Sequence, residues 1–104
     1  VSIASGLALS GKKPYVYSGA IFLIMRAYEQ IRDDICYNNT NVKLIGTGAA
    51  GFLGFTHNLS GKENTNDLLK NLPNIRLYSS EDEDRLTRAM EFEHDRIGPA
   101  YIRL

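Results

Sequence analysis

Apolar positions alternate between two periods along the chain. Val1, Ile3, Ala4, Leu7 and Ala8 recur at helical spacing and predict a helix over residues 1–10. Gly11 is its C-cap, with Pro14 just beyond. The small residues Ser5, Gly6 and Ala8 let that helix sit close to a neighbour. Residues 15–17 form an aromatic and β-branched run, which predicts a strand broken at Gly19. Over residues 20–37, Phe22, Leu23, Met25, Ala27, Tyr28, Ile31 and Ile35 give a broad helical face. Glu29, Arg32, Asp33 and Asp34 mark its wet side, and the Asn-rich run at 38–41 stops it. Residues 42–46 (VKLIG) predict a buried strand, 65–72 a short helix stopped by Pro73, and 75–78 a strand. A helix follows to about His94, with Ser79 or Ser80 as N-cap and the acids at 81–84 on the positive end of its dipole. Gly98-Pro99 breaks it before a last strand at 100–104. Helices alternating with strands in this way predict an α/β fold, an open and mostly parallel sheet with helices on both faces.

Composition narrows the classes. The 104 residues suffice for one domain, 1–104. Formal net charge is zero and the basic residues are scattered, so no stripe points to nucleic acid. No apolar run has the length of a membrane span, so no membrane is expected. Cys36 is the only cysteine; it excludes an internal disulfide and fits a reducing, cytoplasmic setting. The sequon at Asn58 is read as chance. The chain starts at Val1 inside a helical pattern and stops directly after a strand, so both ends read as cut from something longer.

Chemistry has few candidate places. The junction at residues 15–32 is a strand, a turn and a helix, where open α/β sheets hold ligands. Phe22 and Arg26 lie one helical turn apart on one face. By spacing alone Phe22 packs in the core and Arg26 makes a surface ion pair; together they could also hold a flat heteroaromatic ring. The segment at 46–51 matches GxGxxG after a strand, but no helix pattern follows directly and no ribose-binding acid stands about twenty residues on. A loop needing glycine for its backbone angles is the simpler account. His57 in that loop is a candidate proton shuttle or substrate contact, against an exposed histidine without a role. His94 suits a helix C-terminus. Asp33, Asp34 and the acids at 81–84 read as a solvated face and a helix start. The two histidines and one cysteine lack metal-ligand spacing.

Five pieces in order, GLALSGKKPYVYS, FLIMRAYEQIR, the glycine-rich loop with FTHN, LLKNLPNI and GPAYIRL, resemble the pyrimidine-binding domain of the transketolase family. The resemblance covers nearly the whole chain. It implies the thiamine-diphosphate-binding fold with its N-terminal strand missing, and thiamine diphosphate as cofactor. Mg²⁺ and the diphosphate would be held by a partner domain or chain, in a homo- or hetero-oligomer. It implies that Phe22 stacks on the aminopyrimidine, that Arg26 lies near that ring, that Tyr17 and Ser18 line the pocket at the strand end, and that His57 faces substrate and can move a proton. The expected activity is transfer of a two-carbon ketol or acyl unit between sugar phosphates or oxo acids. The sequence departs from the family in two places. The family's catalytic Glu would fall just before Val1, and the acids after the loop histidine are out of register at Glu63 and Asp67. A degenerate, non-catalytic domain used for dimerisation or scaffolding is therefore the second reading.

Overall fold

A computed structural model describes residues 1–48 and 65–104. Helix α1 (Ser2–Leu9) leads to strand β1 (Tyr15–Gly19), helix α2 (residues 20–37) and strand β2 (Lys43–Thr47). After the residues outside the description come α3 (Thr65–Leu69), β3 (Arg76–Ser79), α4 (Glu83–Asp95) and β4 (Ala100–Arg103). The strands form one sheet in the order β1-β2-β4-β3, every neighbouring pair parallel. The connections from β1 to β2 and from β3 to β4 run in opposite lateral directions. Right-handed crossovers then put α2 and α4 on opposite faces, and packing agrees. Leu44 and Tyr101 share a core with Leu23, Ile24, Ile31, Ile35 and Leu69. On the other face Lys43 meets Glu93 of α4.

Helix α1 ends as its sequence dictates. Gly11 takes φ +85°, its N–H bonds Ala8 O at 3.0 Å and the Lys12 N–H bonds Leu7 O at 3.0 Å. These two bonds form a complete Schellman stop. Ser5 is buried and donates to Asp34 O at 2.7 Å, and Ser2 donates to Asp34 Oδ2 at 2.6 Å. Asp34 is thus a docking point for α1 rather than part of a wholly solvated face. Two boundaries also differ from expectation. Helix α3 stops at Leu69, and α4 is capped by Asp82, whose side chain accepts from Asp84 N and Arg85 N. Ser80 Oγ instead accepts from Asp82 N at 3.0 Å, too early in the chain to cap the helix.

The α4 face hides charge that hydropathy did not foretell. Lys43 is fully buried, and its Nζ donates to Glu93 Oε2 at 3.1 Å, Arg96 O at 3.0 Å and Gly98 O at 2.6 Å. Those three acceptors use all three ammonium donors. Burial pushes Lys43 below the usual lysine range, while its hydrogen bond to Glu93 pulls the other way. Glu93, also fully buried, accepts at Oε1 from Arg76 Nε at 2.6 Å and Tyr78 Oη at 2.8 Å. A carboxylate this deep is tolerable because cations and a hydroxyl donate to it. The network ties α4 to β2 and β3. No helix among the described residues is long and apolar enough to cross a membrane.

Candidate functional site

The C-terminal ends of β1 and β2 open into a narrow crevice lined by Gly19, Ala20, Ile21, Phe22, Thr47 and Gly48. Ligands of open α/β sheets lie at such carboxyl ends. Two backbone features shape the opening. A Cβ on Gly19 would sit 3.3 Å from Phe22 Cδ2, so the bare glycine lets the ring lie close against the strand end. Gly48 takes φ +74°, a backbone angle that side chains disfavour.

Helix α2 is not a uniform α-helix. It is π-helical over Phe22–Arg26, α-helical over Tyr28–Gln30 and π-helical again over Ile31–Tyr37. Such segments are rare and gather at functional sites. The first begins at the crevice and carries both residues singled out there. It still brings them together: the Arg26 guanidinium carbon lies 5.3 Å from the Phe22 ring centroid. The ring is thus flanked by the Gly19 backbone and a cation, instead of being swallowed by the core. Leu23 and Ile24 turn inward in its place.

The other expected residues divide. Tyr17 pairs in register with Ile45, on the sheet face covered by α4; it is 66% exposed and does not line the crevice. Ser18, level with Gly46 on the α2 face, is half-buried below the rim and does not line it either. His57 and the second half of the GxGxxG segment, residues 49–51, lie outside the described residues. Gly46, the first glycine of that segment, is described. A Cβ there would fall 2.8 Å from Tyr101 Cε2, closer still to Tyr101 Oη, and 3.0 Å from Ala20 Cβ. Gly46 is a glycine for want of space and not for backbone angle. His94 stacks on Tyr15, with Tyr15 Oη 3.1 Å from His94 Nδ1, at the opposite end of the sheet.

Sequence reasoning missed Tyr101. It is fully buried on the α2 face, and its hydroxyl lies 2.7 Å from Thr65 Oγ1. Burial pushes the phenol above its ordinary pKa, so it remains a neutral hydroxyl. The Gly at 46, one residue before the crevice, was the available signal.

The crevice offers an apolar floor, one aromatic ring and two positions without Cβ. The crevice itself has no room for a water molecule, so what it presents outward is its rim and the half-buried Phe22 ring. No carboxylate lines the crevice among the described residues.

No protein-family model matches the chain. Curated relatives do. Over its full length it is 35% identical to one subunit of the apulose-4-phosphate transketolase of Actinobacillus succinogenes, covering 33% of that protein. It is 33% identical over 106 residues to a 1-deoxy-D-xylulose-5-phosphate synthase of Bacillus cereus, covering 98% of this chain and 16% of that one. Among solved structures, a split-gene transketolase described as an inactive β4 tetramer superposes with a TM-score of 0.84 at 33% identity, over 98% of this chain and 32% of that one. The chain therefore spans about a third of the transketolase subunits it matches.

Proposed function

We propose that this chain, which belongs to the transketolase family, forms the aminopyrimidine wall of a thiamine-diphosphate site in an enzyme that transfers a two-carbon ketol or acyl unit. The observation that carries the reading is the seating of Phe22. A half-buried ring is held at the C-terminal mouth of β1 and β2, in a π-helical turn, between the Gly19 backbone and the Arg26 guanidinium. Stacking needs a ring at the mouth of the pocket whose tilt is fixed, and this seating supplies both.

Within that site Phe22 would hold the pyrimidine and Arg26 would steady the ring. The apolar walls at Ala20 and Ile21 would exclude water. When bound, thiamine diphosphate supplies the electron sink for breaking a bond next to a carbonyl. His57 is assigned proton transfer on the substrate side. A diphosphate-binding domain or subunit holding Mg²⁺ completes the site, in a cytoplasmic oligomer. The relatives' names favour sugar phosphates among the substrate classes.

The test is a thiamine diphosphate titration, with Mg²⁺, of the assembled enzyme. Phe22→Ala is expected to raise the dissociation constant about ten- to hundredfold, with Phe22→Tyr close to wild type. Equal affinity in Phe22→Ala and wild type would refute the assignment.

A second reading has its own support. The structural neighbour is described as inactive, and α1 presents Ile3, Leu7 and Leu9 to solvent. A domain kept for assembly would form oligomers and bind no cofactor even with its partner subunit present.

A further inference from the structure

The buried charges of the α4 face lie in one row across the sheet. Lys43 on β2 pairs with Ala100 on β4, and Ala100 pairs with Arg76 on β3. In-register partners in a sheet project to the same face, so the row reads cation, small apolar residue, cation. Glu93 meets this row from α4. Its Oε2 accepts from Lys43 Nζ at 3.1 Å and its Oε1 from Arg76 Nε at 2.6 Å. One carboxylate therefore bridges the strands on either side of β4, which contributes only the fully buried methyl of Ala100. Tyr78, two residues along β3 on the same face, donates its hydroxyl to Oε1 at 2.8 Å. Lys43 also holds the approach to β4, donating to Gly98 O at 2.6 Å.

Apolar patterning alone does not fix this frame. A slip of one residue turns every side chain of a strand to the other face, and alternation excludes it. A slip of two residues keeps every side chain on its own face. Moving β3 along β4 by two would set Arg76 beside Ile102 and Leu77 beside Arg103. It would carry the Arg76 backbone about 6.6 Å along the sheet and leave a fully buried carboxylate short of donors, which is costly. The charges thus penalise the slips that alternation permits.

We propose that Glu93 is a register clamp: by accepting from Lys43 and Arg76 at once it selects the pairing frame of β2, β4 and β3. Its contribution is to the uniqueness of that frame more than to net stability, as a buried ion network offsets much of its attraction by desolvation. This role does not depend on the cofactor site.

Register is read by disulfide trapping in the assembled enzyme, in a Cys36→Ala background. Ser79 and Arg103 are partners in the native frame, so Ser79→Cys/Arg103→Cys closes a disulfide there. Leu77→Cys/Arg103→Cys reports the two-residue slip. Its Cα atoms are roughly 8 Å apart in the native frame and about 5 Å apart after the slip, and only the shorter span suits a disulfide. With the network intact, only the native pair is expected to close. Arg76→Leu/Tyr78→Phe frees β3 from Glu93 and leaves the Lys43–Glu93 pair whole. In that variant the slipped crosslink is expected to rise at least about tenfold, with the urea midpoint little changed. Arg76→Lys, which keeps a cation in the row, should hold the crosslink near its background. A slipped pair that stays open in the freed variant while the native pair still closes would show that apolar packing alone sets the frame. Equal slipping in Arg76→Lys and the freed variant would show that charge does not select it. If the freed variant unfolds and neither pair closes, the network is a source of stability and the proposal is overturned as well.

Discussion

Tyr101 and Gly46 are complementary across neighbouring strands: the ring of one fills the volume that a side chain on the other would need. Gly46→Ala forces a methyl group within 2.8 Å of the Tyr101 ring. Overpacking of this kind costs about 1–3 kcal/mol. Tyr101→Phe removes the nearest atom, so the double variant is expected to recover part of the loss. Denaturant midpoints of the two single variants and the double variant measure the coupling, and strict additivity would show that the two side chains do not compete for space.

Glu93 gives a second prediction. It contacts Lys43, Arg76 and Tyr78 at once. Glu93→Leu strands the buried ammonium and is expected to cost about 3–5 kcal/mol. Replacing the pair together, Lys43→Met with Glu93→Leu, is expected to cost less than Glu93→Leu alone. Urea unfolding of the three variants decides it; a double variant less stable than either single one would mean that the network adds net stability beyond its desolvation cost.

Cys36 predicts an alkaline effect. It is fully buried, and burial pushes its thiol from 9.0 to about 11. The folded state then holds the proton more tightly than the unfolded chain does. The resulting stability is fully present below about pH 9 and is lost as pH rises through about 11, a loss of at most about 2–3 kcal/mol. Tyr78 and Tyr101 are raised by burial too and act in the same direction, so the comparison is with Cys36→Ala. That variant should show a shallower decline between about pH 9 and 11. The native thiol should also resist iodoacetamide at about pH 8 until the protein is unfolded.

The cap of α4 can be tested at its two candidates. Asp82 accepts from Asp84 N at 3.0 Å and from Arg85 N at 3.4 Å. Asp82→Ala is expected to cost about 1 kcal/mol and Ser80→Ala markedly less, with amide exchange in the first turn of α4 rising only in the former.

Element order was legible because each run keeps one period, two for the strands and near 3.6 for the helices. Gly11, the Asn-rich run and Gly98-Pro99 supplied the stops. The parallel sheet followed from alternation. The order β1-β2-β4-β3 did not, since it depends on which strands meet. The π-helical turns of α2 were illegible for a related reason: an apolar face reads alike in an α- and a π-helix. The buried strand VKLIG was legible, but the ion pair that lets Lys43 sit in it was not, because its partner Glu93 lies about fifty residues away. The juxtaposition of Phe22 and Arg26 followed from their spacing, and their place at a cofactor is what the family resemblance implies. The packing of Tyr101 did not follow, because it depends on the absence of a side chain on another strand.

The sheet order also dictates when the sheet can exist. Among the described strands β3 pairs with β4 alone, and β4 sits between β2 and β3. On a ribosome β3 emerges before the strand it needs. The buried carboxylate of α4 is made after Lys43 and before the backbone carbonyl of Gly98 that shares its ammonium. Until Ala100–Arg103 arrives, β3 has nothing to pair with, and Tyr101 is missing from beneath Gly46. Closing the described sheet therefore waits on β4, with long loops to close before any reward is collected.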